Sequence, residues 1–107
     1  MRLGSIFMGG LLVAALSGPA QAAWLPEQVS EFMRECLAGC EQANPAPSDR
    51  EKCTPYCTCV ATEGQNRFPN SSDYAELDGD AREKRDTPKL RQFAEIYPLC
   101  SRRAYNQ

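Results

Sequence analysis

The sequence predicts an all-α fold, a disulfide-stapled helical hairpin with a third helix docked on it. Three observations predict it. Six cysteines fall within the last 85 residues, and four of them form two C-x3-C units. Apolar residues recur at three- and four-residue spacing around those units, the period of one helix face. Proline follows a cap residue or stands in a first turn at the candidate helix starts, where its missing N–H is harmless.

The chain opens with Met1-Arg2, an apolar stretch from Leu3 to Leu16, and Ser17-Gly18-Pro19-Ala20-Gln21-Ala22. A positive start, an apolar core, a Gly/Pro break and an Ala-x-Ala ending are the parts of a secretory signal peptide. Residues 1–22 are read as that signal, with cleavage after Ala22. The stretch is interrupted by Gly4, Gly9 and Gly10 and is shorter than the ~20 residues that span a bilayer, so no membrane span is expected. Its brevity looks bacterial, which makes the expected destination periplasmic or secreted.

Residues 23–107 then form a single small domain. Their net charge is −3, which argues against a nucleic-acid partner, since that would want a basic face. A domain of this length buries a modest core and needs covalent or metallic help. The cysteines supply it: export places them in an oxidising compartment, and their even count lets all of them pair.

Leu25-Pro26-Glu27-Gln28 opens the first helix, with Pro26 in the first turn and Glu27 favourable to the helix dipole. Val29, Phe32, Met33, Cys36, Leu37 and Cys40 follow on one face, until Asn44-Pro45-Ala46-Pro47 breaks the helix. Ser48 with Glu51 reads as a capping box that opens a short turn over 49–53. Thr54 as N-cap and Pro55 at the first position start the second helix, over about 55–67.

Two helices joined by a short loop pack antiparallel. Cys40 and Cys53 then meet nearest the turn, and Cys36 and Cys57 meet one turn further away. Cys59 lies about 200° around the helix from Cys57 and is left for Cys100. The expected disulfides are therefore Cys40–Cys53, Cys36–Cys57 and Cys59–Cys100. Their chief rival exchanges Cys57 and Cys59, because Pro55 can rotate the second helix.

Residues 69–87 are polar and rich in alternating charge, and are expected to form an exposed connection. A short helix from Asp73 to about Arg85, capped by Ser72, is compatible with their composition. Thr87-Pro88 repeats the cap-then-proline start, and Leu90, Phe93, Ala94, Tyr97 and Cys100 follow at helical spacing. A third helix is expected over about 88–103, kinked by Pro98.

The spacing Cys36-x3-Cys40-x12-Cys53-x3-Cys57 resembles the α-hairpinin peptides of plants and the small chaperones of the mitochondrial intermembrane space. That resemblance implies the same nested pairing and nothing more, since the functions of those families diverge over protease inhibition, antimicrobial activity and carriage of apolar segments. Phe32-x3-Cys36, Tyr56-Cys57-Thr58-Cys59-Val60 and Arg67-Phe68-Pro69 are similar to small exported proteobacterial proteins with a Y-C-x-C motif, largely of unknown function. In those the Cys40/Cys53 pair is often missing.

No catalytic constellation emerges, and the chain is read as non-enzymatic. It contains no histidine, so a Ser-His-Asp or Cys-His arrangement cannot form. Glu27, Glu31 and Glu35 form an i, i+4 stripe, which reads as a solvated face. Asp78-Gly79-Asp80 is too short to be a calcium loop, and Asn70-Ser71-Ser72 is a glycosylation acceptor only in a eukaryotic secretory pathway. Cys57-x-Cys59 has the softness to chelate Cu(I) or zinc, yet pairing uses every cysteine; no cofactor and no metal site are expected. Trp24, Phe68, Tyr74 and Tyr105 fall outside the core stripes; aromatics there either anchor contacts with partners or cover the small core. The expected function is binding to another protein, in the manner of an inhibitor or immunity protein. The alternative is a carrier of a small apolar ligand or a soft metal ion.

Overall fold

The computed structural model describes residues 23–106; the signal-peptide reading of residues 1–22 lies outside them. Their chain forms six helical segments, and no strand occurs among the described residues: α1 (Pro26–Ala43), α2 (Pro47–Arg50), α3 (Cys53–Arg67), α4 (Ser71–Arg82), α5 (Pro88–Ala94) and α6 (Ile96–Tyr105). The architecture is all-α, with α1 and α3 forming the stapled hairpin and α6 packed along α3.

Local chemistry explains each boundary. Pro26 is the first residue of α1, and Gln28 turns its Oε1 back to accept from the Leu25 N–H at 2.8 Å. Asn44 ends the helix by donating from Nδ2 to the Cys40 carbonyl at 2.8 Å. Ser48 is not a cap: α2 starts at Pro47, with Ala46 in the cap position. A proline preset to helical φ outweighs a serine one residue later.

The second long helix also starts earlier than its sequence suggests, at Cys53 rather than Pro55. Pro55 is the third helical residue, and the first intrahelical donor is the Tyr56 N–H, to the Lys52 carbonyl at 3.0 Å. A first-turn N–H has no partner in any case, so the proline removes nothing there. The same rule relocates the break in the third helix. Pro98 is the third residue of α6, and the interruption falls at Glu95, between α5 and α6. A proline clashes with the carbonyl four residues before it, so the chain breaks in the preceding turn instead of kinking at Cys100.

The polar stretch after Phe68 is not an exposed connection. It is α4, with Asn70 rather than Ser72 in the cap position and Asp73 Oδ2 accepting from the Asn70 N–H at 3.1 Å. Three of its residues, Tyr74, Leu77 and Asp80, are buried. They stand three residues apart, on one face. Thr87 caps α5, accepting from the Leu90 N–H at 3.2 Å.

Two clusters hold these helices together. Trp24, Val60, Phe68, Tyr74, Leu77, Phe93, Ile96 and Cys100 form the main core. Cys40, Cys53 and Cys57 form a second, with Met33, Cys36, Leu37, Tyr56 and Tyr105 against it. The disulfides are Cys36–Cys57, Cys40–Cys53 and Cys59–Cys100, with Cα–Cα distances of 5.9, 5.8 and 5.7 Å. The first two staple the hairpin at successive turns; the third ties α6 to the opposite face of α3.

Lys84, just past α4, has φ of 56°. A side chain there is strained, and glycine is the usual occupant of such a position. Lys84→Gly is expected to raise stability by about 0.5–1 kcal/mol, the relief of strain exceeding the entropy glycine loses on folding. Chemical denaturation of both proteins checks it.

Candidate functional site

The core is not closed on the side where α1 faces α4. Those two helices do not pack along one another, and between them lies a groove of about 620 Å³. One wall comes from α1 (Phe32, Glu35, Cys36, Gly39, Cys40 and Ala43). The other comes from α4 (Tyr74, Leu77, Asp78 and Ala81), and Trp24, Tyr56, Leu90, Phe93, Tyr97 and Tyr105 complete the lining. Along α1 the lining extends over about 16 Å, at 1.5 Å per residue.

Seven aromatic rings line this groove; five of them form a connected belt, and Tyr56 and Tyr105 form a separate pair. Trp24 lies 4.8 Å from Tyr74 between ring centroids, and 6.1 Å from Phe32 in an edge-on arrangement. Phe93 is edge-on to both Phe32 and Tyr97, at 6.1 and 5.7 Å. Tyr56 meets Tyr105 at 6.1 Å. Such geometries set the positive ring edge of one side chain on the negative face of another, which fixes the belt beyond simple burial.

Why the belt stays open can be read from its surroundings. Trp24 is anchored from behind, its indole Nε1–H donating to the Phe68 carbonyl at 2.7 Å. Gly64 in α3 leaves room for the rings: a Cβ there would lie 2.8 Å from Phe93 Cε1 and 3.2 Å from Trp24 Cη2. On the groove side, Gly39 of α1 has nothing within 4 Å of the position a Cβ would take. One glycine makes room behind the belt and the other leaves space in front of it.

At the rim, α4 is strapped to α1 by charge. Arg82 bonds Asp78 at 2.9 Å on its own helix, and Glu31 and Glu35 across the gap at 3.2 and 2.9 Å. Tyr74 donates from its hydroxyl to Glu31 Oε1 at 3.2 Å. Burial, followed by the charge of Glu31, raises the Tyr74 phenol far above its ordinary value, so it remains a neutral donor. Glu31 and Glu35 are thus part of an interhelical cluster rather than a merely solvated stripe. Glu27, one turn earlier, is exposed.

The other end of α4 is fixed separately. Asp80 is 4 % exposed. It accepts from Arg85 Nε at 2.9 Å and from the Thr87 hydroxyl at 3.0 Å. Asp73 accepts from Lys89 at 2.9 Å. The hydrogen bond from Lys89 holds the Asp73 carboxyl below its ordinary value, and that from Arg85 does the same for Asp80. The folded chain therefore binds fewer protons than the unfolded chain near pH 4. The stability these two groups contribute is complete above the ordinary carboxylate pKa of about 4 and is lost as pH falls through the lower folded values. A thermal midpoint that is level between about pH 5 and 7 and falls below about pH 4 is expected. Asp80→Asn should flatten that fall, which circular dichroism across the pH series checks.

The aromatics expected to face a partner have other places. Trp24, Phe68 and Tyr74 are 5, 8 and 6 % exposed, because α4 and the segment before α1 close over them. Tyr105 is partly exposed. Its hydroxyl lies 3.2 Å from Cys40 Sγ and donates to the Asp49 carbonyl at 3.3 Å, which covers the disulfide nearest the hairpin turn. All six sulfurs are committed to disulfides, so the thiolates that a soft metal requires at Cys57-x-Cys59 would form only on reduction. The groove itself is not legible in the residue pattern. Its one signal is the surplus of aromatics outside the helical stripes.

No helix among the described residues is long and apolar enough to cross a membrane. Three disulfides suit a compartment outside the reducing cytoplasm. No family model matches the chain, and neither the curated proteins nor the solved structures contain a match to it.

Proposed function

We propose that this is a non-enzymatic protein of the periplasm or the extracellular space that carries a small apolar molecule in the groove between α1 and α4. One observation carries the reading: seven aromatic rings line a single concavity of about 620 Å³. Small-molecule sites are concave, mostly apolar and roughly 300–1,000 Å³ in volume, with a few polar groups that fix orientation. Cys36–Cys57 and Cys40–Cys53 fix the α1 wall to α3 and Cys59–Cys100 fixes α6, while the Arg82 ion pairs tie the α4 wall to α1. A preformed site loses little conformational entropy on binding. Inhibitor-like binding of a protein rests on outward aromatic anchors, and three of the four named are buried, which favours the concave site.

The test uses the chain's single tryptophan, which lines the groove. N-phenyl-1-naphthylamine, a neutral apolar dye, is titrated into the oxidised protein. A saturable one-to-one rise in dye emission, with quenching of Trp24, is the expected result. Gly39→Leu puts a side chain into the groove while favouring the helix, so this variant should fold normally and lose the signal. A non-saturable signal, or one that Gly39→Leu leaves unchanged, would overturn the reading.

A further inference from the structure

We infer that the groove selects an apolar molecule bearing a positive charge, an organic ammonium ion, over neutral or anionic molecules of the same size; this rests on the reading of the groove as a small-ligand site. The inference comes from the charges around the apolar lining. The charged residues that line the groove are Glu35 and Asp78, and neither lysine nor arginine is among the lining residues. At the rim, Glu31, Glu35 and Asp78 share one guanidinium, that of Arg82, which leaves two negative charges unmatched.

An anionic ligand such as a fatty acid has no counter-ion here. Arg82 is the only cation in the rim cluster among the described residues, and it already bonds three carboxylates. To pair with an incoming carboxylate it would have to give up a bond near 3 Å, and the incoming charge would meet the remaining acids. A cation encounters the reverse. The rim attracts it, and the groove is lined by aromatic rings, whose quadrupole favours a cation at the ring face. Trp24, the strongest such ring type, lies beside Tyr74, whose hydroxyl reaches Glu31. Aromatic rings thus stand next to unmatched carboxylate charge, and aromatic rings are what proteins use to hold quaternary ammonium groups.

The experiment compares decyltrimethylammonium, decanol and decanoate, each below its micelle concentration, by quenching of Trp24 in the oxidised full domain. The ammonium is expected to bind about tenfold more tightly than decanol, and decanoate more weakly than either. Its advantage should shrink at high salt. The double variant Glu35→Gln with Asp78→Asn, both at partly exposed rim positions, should lose the preference of the ammonium over decanol. Equal binding of all three probes, or tightest binding of decanoate, would overturn the charge selection while leaving the groove reading intact. Absence of any saturable response to all three would overturn both. A preference that survives in the double variant would show that the rim carboxylates do not select the charge.

Discussion

Replacing Cys59 and Cys100 together by alanine is expected to cost about 4 kcal/mol, the largest effect of any of the three disulfides. The loop it closes spans 41 residues in sequence, against 21 for Cys36–Cys57 and 13 for Cys40–Cys53. Cross-linking a longer loop removes more entropy from the unfolded chain, and the same reasoning gives about 3 kcal/mol for each of the shorter two. Position adds to length. Cys100 is fully buried in the main core beside Ile96 and Val60, so alanine also leaves a gap at the α3–α6 interface. The two hairpin bridges would still hold α1 to α3. Urea denaturation of the three double-alanine variants checks the order, and a Cys59/Cys100 variant no weaker than the Cys40/Cys53 one would contradict it.

Gly64→Ala is expected to destabilise the protein by up to about 2 kcal/mol, although alanine is the better helix residue. Two opposing effects decide the sign. Replacing glycine inside a helix gains about 1 kcal/mol. Overpacking a filled core costs about 1–3 kcal/mol, and a contact of 2.8 Å with Phe93 Cε1 demands a shift. Phe93 cannot recoil freely, being packed against Phe32, Phe68 and Tyr97. Its one open direction is the groove. The variant should therefore melt several degrees lower, at about 4–8 °C per kcal/mol for a domain of this size, and should bind N-phenyl-1-naphthylamine more weakly. A higher melting temperature would mean that Phe93 and Trp24 are looser than their packing indicates.

Much of the hairpin is legible in the sequence because it depends on local spacing. The faces carrying Cys36 and Cys40 on α1 and Cys53 and Cys57 on α3 follow from 3.6 residues per turn. The helix starts are less legible: Pro55 suggests a first position and Pro98 a kink, whereas both occupy third positions. The reason is physical. A proline's missing N–H is tolerated anywhere in the first turn, so it marks a helix start only to within a few residues. The segment over 69–87 misleads for a different reason. Its alternating charges suggest solvent, yet Arg82, Arg85 and Lys89 find acidic partners nearby, and the buried face is carried by only Tyr74, Leu77 and Asp80.

The groove is not legible at all. It exists because α4 leans on α5 and meets α1 through side chains at the rim, without packing along it, a tertiary fact that no periodicity encodes. Trp24 and Tyr74 do stand out in the sequence as aromatics outside the stripes. Their direction does not, since a ring off one helix's stripe can still face a neighbouring helix. Glu31 and Glu35 are similarly visible as a stripe, but the partner that gathers them, Arg82, lies 51 and 47 residues away.

Everything proposed for this protein depends on the concavity between α1 and α4 being its binding site. Chemical-shift mapping of the ¹⁵N-labelled oxidised protein with decyltrimethylammonium tests it most directly, since the Trp24 indole N–H and the amides of Gly39, Leu77 and Ser101 report on the groove from separate elements. These signals are expected to move together along one saturable isotherm, while those of Thr58 and Thr62, on the far face of α3, stay still. Shifts confined to the far face, or spread over the surface without saturation, would contradict the assignment.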